Sequence, residues 1–466
     1  MSARAYDEFL TRKIRTTPGV GIDVDDARLH PRLFPFQREI VLRMLALGRG
    51  AIFASTGLGK TSMQIEWARI VAETTELPVL IFAPLAVASQ TIREARIIGV
   101  DVTSCKEQSD VTAGVNITNY DRLDRFDCSI LGGIVIEESS ILKATDGKTR
   151  THLIEVAQSI RFRLACTATP APNDVMELGN HADFLGVMKS AEMLATYFVH
   201  DGGETQKWRL KGHAEKSFWA WVSSWAMVVD SPSDLGYDGS AYVLPELRMH
   251  EHVLDAPAVT DGETLFALPA SSLTERRGAK KSSIQMRVDR LVSIVLSGSD
   301  GDRVLEPWII WCHLNSEQDL LAKAFGESAF SIFGSMPSEE KERQLLCWLD
   351  GERPILISKP SMLGFGINAQ ICSSMAFVGI DDSWESLYQS IRRCWRFGQT
   401  RPVDVHLILS SAEIRVLENL QRKERDAAKM RRAMAAATES ARVPMHAARP
   451  HYTHVTVEVP SWLHRS

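Results

Sequence analysis

The sequence predicts an α/β protein with two parallel-sheet domains, a helical insertion between them and a helical carboxyl-terminal extension. Three observations carry that prediction. Short apolar segments of strand length alternate with helical patterns in two separate blocks, the signature of parallel sheets covered by helices. A glycine-rich turn joins a strand to a helix near the start of the first block. The length, 466 residues, suits about three domain-sized units, or two with an insertion.

In the first block, strands are expected at 51–54, 79–83, 115–118, 133–136 and 162–166. In the second they are expected at 308–311, 330–333, 355–358, 375–379 and 403–409. The division that follows is an arm at 1–30, a first domain at 31–185, an insertion and linker at 186–300, a second domain at 301–410 and an extension at 411–466. Within the insertion, 247–254 alternates as a strand does, and from about 412 to 437 the chain follows one helical pattern.

Composition narrows the function classes. With 45% hydrophobic and 24% charged residues, most of the chain is neither disordered nor of low complexity. Lys and Arg number 53 against 58 Asp and Glu, so the net charge of −5 excludes a uniformly basic nucleic-acid coat but leaves room for a basic groove. No apolar run reaches the 18 or so residues of a membrane span, so no membrane partner is expected. The 7 cysteines are scattered, odd in number and never spaced CxxC. That pattern fits a reducing cytoplasm better than a disulfide framework or a zinc site.

The glycine-rich turn reads Thr56-Gly57-Leu58-Gly59-Lys60-Thr61, with a strand before it and a helix after. Glycines let backbone N–H groups turn onto phosphate oxygens, Lys60 reaches the terminal phosphates, and the Thr61 hydroxyl can hold Mg²⁺. Ala54 stands where the general pattern has its first glycine. A plain helix-capping turn is the competing account. A nucleotide site also needs an acidic partner, and the apolar run 133–136 ends in Glu137 and Glu138. One carboxylate would orient Mg²⁺ and the other the attacking water. In the second block, Gln389, Arg393 and Arg396 are spaced four and three apart and share a helical face. Guanidiniums in a row suit the charge that develops on a transferring phosphoryl group.

With these motifs in order, the chain resembles helicase superfamily 2, specifically its Swi/Snf-like branch, and within it the compact helicase-like ATPases encoded by phages and prophages. The resemblance runs over about 33–409. It implies two RecA-like domains of the P-loop NTPase class that bind ATP and Mg²⁺ between them. It implies Gln37 as adenine reader, Thr56 to Thr61 as phosphate loop, and Thr61 with Glu137 at the metal. Glu138 would orient water, and Arg393 and Arg396 would be arginine fingers. Pro84, Asn119 and Tyr120 fall in segments that touch the nucleic-acid backbone. Thr167 and Thr169 lie in the motif coupling hydrolysis to movement, and Gln389 opens the arginine motif. Gly366, in Gly364-Phe365-Gly366-Ile367-Asn368, belongs to a motif touching both nucleotide and strand. The implied partner is DNA, double-stranded in preference to single-stranded, with a separate nuclease or replication factor as a further partner. The implied setting is a bacterial host cytoplasm. One position departs from the family: Glu137 stands where Asp is usual. An RNA-directed helicase and a non-hydrolysing clamp switched by ATP binding are the rival readings.

Other conspicuous residues have plainer accounts. Trp221 and Trp225 recur at helical spacing with Phe218 and read as core, whereas Trp208, Arg209 and Lys211 precede that stripe and are equally candidates for nucleic-acid contact. The basic cluster Arg276, Arg277, Lys280 and Lys281 fits a linker or a phosphate clamp. The segment 421–432, six basic residues against two acidic, fits either a solvated face or a duplex contact.

Overall fold

The structure is a computed structural model, and it describes residues 20–143, 147–200, 208–255, 283–297, 306–363 and 367–445. Two all-parallel sheets form its frame. The first has seven strands in the order β3-β4-β2-β5-β6-β1-β9: β1 Arg49–Ala54, β2 Val79–Ala83, β3 Val102–Ser104, β4 Val115–Asn119, β5 Gly133–Glu137, β6 Phe162–Thr167 and β9 Ala226–Val229. A small antiparallel ribbon, β7 Phe198–His200 with β8 Trp208–Leu210, stands apart from it. The second sheet has six strands in the order β10-β15-β14-β11-β13-β12: β10 Leu247–Leu254, β11 Trp308–Cys312, β12 Ala329–Ser331, β13 Ile355–Ser358, β14 Ser374–Val378 and β15 Val403–Ser410.

The inner strands of both sheets are buried on both faces, which is why they read as continuous apolar runs. Alternation still sorts the faces. Phe53, Ile134, Ile136 and Ala165 point into one core of the first domain, while Ile52, Ala54, Val135 and Leu164 point into the other. Trp311, Leu356 and Phe377 fill one core of the second domain, and Ile310, Ile357 and Val378 the opposite one.

Two described segments of the stretch 186–300 join the sheets, one in each. β9 runs parallel to β1, with Ala51 opposite Ala226 and Ala54 opposite Val229. β10 lies parallel to β15 along its whole length, Leu247 opposite Val403 and Leu254 opposite Ser410. The helix Glu215–Trp225 stops where Ala226 turns extended. Trp221 and Trp225 of that helix are buried among Phe218, Phe53 and Tyr197, as their spacing foretold.

The last described element, Ile414–Met445, is a single helix of 32 residues. Its first turns place Val416, Leu417, Leu420 and Ala427 in the second domain's core, and its later turns place Met430 and Met434 in the first domain's core. Met434 is 1% exposed. Burying two methionine side chains contributes roughly 3–6 kcal/mol. Lys423 adds a bond across the junction, donating to the Asp382 carbonyl at 2.7 Å and to Asn173 Oδ1 at 3.3 Å.

On the β10–β15 edge, three imidazoles stack. The ring centroids of His250 and His406 lie 4.6 Å apart with their planes nearly parallel, and His252 Nε2 meets His406 Nδ1 at 3.1 Å. Burial, with both other histidines close by, pushes His406 down to about 4 from its ordinary 6.5. The unfolded chain therefore takes up a proton that the folded one refuses. The associated stability is complete above about pH 6.5 and drains away as pH falls toward 4. In urea titrations across that window, a His406→Gln variant is expected to lose less stability than the parent; equal losses would contradict the assignment.

Candidate active site

Parallel sheets present their functional loops at the carboxyl ends of their strands. β1 runs into the phosphate loop, β5 ends at Glu137, and β6 ends at Thr167. Gly57 (φ 96°) and Gly59 (φ 78°) both take left-handed backbone, and Gly59 is the N-cap of the helix Lys60–Thr75. A Cβ on Gly59 would sit 2.3 Å from Gln37 Nε2, so only glycine allows the loop to lie this close to its neighbour. That helix aims its amino end, the positive end of its dipole, into the cleft.

The second domain closes the other side. Thr56, Gly57, Gly59, Lys60, Thr61, Glu137 and Glu138 line one cleft together with Gln389, Arg393 and Arg396. The helix Trp384–Ile391 and the turn after it position the arginines. Arg393 donates from Nη2 to Gln389 Oε1 at 3.0 Å and from Nε to the Gln389 carbonyl at 2.9 Å. Arg396 is held by Asn368 Oδ1.

The electrostatics suit an anion. Burial lowers Lys60 to about 8, against the pull of Glu138, with Arg392 and Arg396 adding repulsion. Burial likewise lowers Arg393 to about 10 and shifts Arg396 downward. Lys60 Nζ meanwhile folds back onto the Ala54 carbonyl at 2.8 Å. Three desolvated cations around a nest of backbone amides fit a polyphosphate. Opposite them, burial raises Glu137 to about 7. Its Oε1 lies 3.4 Å from Thr61 Oγ1, and its Oε2 accepts the Thr91 hydroxyl at 2.9 Å. A hydroxyl and a desolvated carboxylate converging beside a phosphate nest fit a divalent cation. Burial and the nearby Glu385 raise Glu138, which takes a positive φ of 57° and accepts a hydrogen bond from the Thr167 hydroxyl.

Not every residue singled out in the sequence lines this cleft. Gln37 sits behind the phosphate loop, with Nε2 donating to the Leu58 carbonyl at 2.9 Å and Oε1 accepting the Phe34 amide at 3.0 Å. Leu58 is buried in the first core. Gly366 lies outside the described residues, as do Arg276, Arg277, Lys280 and Lys281. Pro84 is the N-cap of the helix Leu85–Ile97. Asn119 is buried with Oδ1 unpaired. Tyr120 turns inward, stacking on Phe82 and donating to the Glu137 carbonyl at 2.6 Å. Arg209 and Lys211 are at the β7–β8 ribbon, where Lys211 Nζ donates to the Thr196 and Ala195 carbonyls at the end of helix Ser190–Tyr197, a C-terminal capping role.

The structure adds Gln90 and Glu94, which the motif reading passed over, and gives partners to Arg392 and Phe397 of the arginine segment. Gln90 and Glu94, one turn apart on helix Leu85–Ile97, line the cleft. Arg392 reaches across to donate to the Thr56 carbonyl of the phosphate loop at 2.6 Å, with its guanidinium over Trp395. Phe397 abuts Gly57 and stacks on Tyr242 at 4.6 Å. Only the i, i+4 spacing of Gln90 and Glu94 carried a signal in sequence.

The model of the helicase conserved C-terminal domain matches residues 287–398, a span that takes in β11 to β14 and the arginine-bearing helix. The chain is similar to putative protein p41 of Acyrthosiphon pisum secondary endosymbiont phage 1, at 25% identity over 439 residues, covering 81% of this chain and 92% of the relative. Among solved structures it is similar to the Sulfolobus solfataricus SWI2/SNF2 ATPase core in complex with dsDNA, at 17% identity and a TM-score of 0.41, covering 90% of this chain and 96% of that one. Among the described residues, no helix is long and apolar enough to cross a membrane.

Proposed function

We propose that this chain is an ATP-dependent motor that moves along double-stranded DNA. One observation carries the reading: the phosphate loop of the first domain and the arginines of the second line a single cleft. A site divided between two bodies is complete only when they close, so turnover of nucleotide can alternate with relative motion. Lys60 and the loop amides bind the phosphates, Thr61 and Glu137 hold Mg²⁺, Glu138 orients the attacking water, and Arg393 with Arg396 stabilises the developing charge. Bound Mg²⁺ supplies charge neutralisation on the phosphates. Gln37, tied to the loop at Leu58, links adenine recognition to loop position. Double-stranded DNA is proposed because the motifs at 364–368 and 389–399 resemble those of the translocating Swi/Snf-like branch. A separate nuclease or replication factor is the proposed further partner, and a bacterial host cytoplasm the proposed setting.

Glu137 favours a second reading. Its side chain is one methylene longer than the usual Asp and is already engaged by Thr91, and octahedral Mg²⁺ tolerates misplaced ligands badly. A clamp that binds ATP without hydrolysing it follows if the geometry fails. Steady-state ATP hydrolysis, titrated in parallel with single-stranded DNA, duplex DNA, forks and RNA, separates the readings. Duplex DNA is expected to stimulate most. Strongest stimulation by RNA would instead make this an RNA-directed enzyme, and no turnover at any Mg²⁺ concentration would leave the clamp.

A further inference from the structure

The helix Trp384–Ile391 begins after Ser383, whose Oγ accepts the Ser386 amide at 3.2 Å, and carries Glu385 in its first turn. Glu385 and Gln389 are four residues apart and share a face, and Arg393 continues the row. Gln389 and Arg393 line the nucleotide cleft. Glu385 does something else. It is 4% exposed, and it grips the first domain. Lys143 Nζ donates to its Oε2, and the Thr169 hydroxyl donates to its Oε1 at 3.1 Å.

Those bonds continue inward. The Thr169 amide donates to Thr167 Oγ1 at 3.0 Å, and the Thr167 hydroxyl donates to Oε1 of Glu138. Glu385, Thr169, Thr167 and Glu138 thus form one hydrogen-bonded series from the second domain to the carboxylate facing the nucleotide. The Thr167 hydroxyl accepts and donates at once, so its two bonds strengthen each other, while Thr169 joins them to the Glu385 bond through its own backbone and side chain. The arrangement has an electrostatic cost. Burial raises both Glu138 and Glu177, and like-charge repulsion from Glu385 adds to it. Packing alone would be served as well by an apolar side chain, since a buried charge gains little net stability.

We propose that Glu385 is a positioning residue: through Thr169 and Thr167, it orients the Glu138 carboxylate only while the second domain is closed on the first. Opening the cleft removes the acceptor for the Thr169 hydroxyl, the Thr167 hydroxyl loses its fixed direction, and Glu138 is no longer set. The device would silence hydrolysis in the open molecule. It rests on the ATP-driven reading above.

The test compares Glu385→Ala, Thr169→Val, the double variant and Glu385→Gln in the full chain with saturating duplex DNA. Glu385→Ala and Thr169→Val are each expected to lower kcat by about tenfold or more, the effect of losing a hydrogen bond to a charged group, with KM for ATP nearly unchanged. The double variant should be no slower than the slower single one. Glu385→Gln should recover much of the rate, because its amide oxygen still accepts the Thr169 hydroxyl. Effects that multiply, a loss confined to KM, or an unchanged kcat would overturn the proposal. Hydrogen exchange of the peptide spanning 162–171 gives a readout without turnover. It should quicken in Glu385→Ala and stay at the parent rate in Glu385→Gln, and equal exchange in all three forms overturns the relay. A parent chain that hydrolyses nothing sinks the motor reading by itself and leaves exchange to judge the relay.

Discussion

Glu138→Gln is expected to lower steady-state ATP hydrolysis by about 10²–10⁴-fold, the usual range for losing a positioned base, while nucleotide binding changes little. The substitution keeps size and shape and removes the negative charge and with it the capacity to take a proton. Glu138 faces the cleft from a positive φ of 57°, a conformation a non-glycine residue adopts at some cost and that tends to persist where surroundings hold it. Burial raises its affinity for a proton, which moves a carboxylate toward useful basicity near neutral pH. Binding should survive because the groups proposed to hold the phosphates, Lys60 and the loop amides, are elsewhere. Paired fluorescence titration with a labelled nucleotide and a phosphate-release assay would check this. Retention of parental turnover would remove Glu138 from its role and point to another base in the cleft.

Arg393→Ala is the second large effect, an expected loss of about 10³–10⁵ in kcat, the span seen for arginine fingers. The Arg393 guanidinium is buried, and burial with Arg396 beside it weakens its hold on its proton. Such a cation gains most where negative charge grows. Arg393→Lys should rescue poorly, since an ammonium lacks the planar fork that Gln389 orients from two sides. Because Arg393 also donates to the Ile367 carbonyl, thermal unfolding must accompany the kinetics. A large stability loss with an unchanged rate per folded molecule would make the residue structural. Arg396→Ala, at a position held by Asn368, should give a loss of the same kind.

The strands with strong apolar runs were legible because a buried parallel strand leaves nothing else for its residues to be. β9 was not, because Ala226 to Val229 continue the apolar stripe of the preceding helix, and only pairing with β1 makes them a strand. β10 showed its alternation, yet its membership of the second sheet depends on contacts with β15, over 150 residues away. The phosphate loop, the paired carboxylates and the arginine row carry their chemistry in local spacing, and all three reach the cleft. Arg392 and Glu385 carry nothing local: one meets Thr56 and the other Thr169 only when the domains come together. Lys211 and Tyr120 illustrate the converse. Both look available for nucleic acid in sequence, and both spend a polar atom on a backbone carbonyl.

The helix Ile414–Met445 also bears on synthesis. Met430 and Met434 complete a core whose other members, such as Phe53 and Ile134, leave the ribosome some 300 or more residues earlier. Until then the face of the first sheet beneath helix Glu215–Trp225 has no cover from this helix, and an incomplete apolar face is an aggregation hazard during synthesis. Closing such distant contacts is slow in proportion to the loop that must be gathered. The nascent chain therefore emerges with its nucleotide loop made early and its final packing made last, and a ribosome stalled before residue 430 would present a first domain with an unfinished interior.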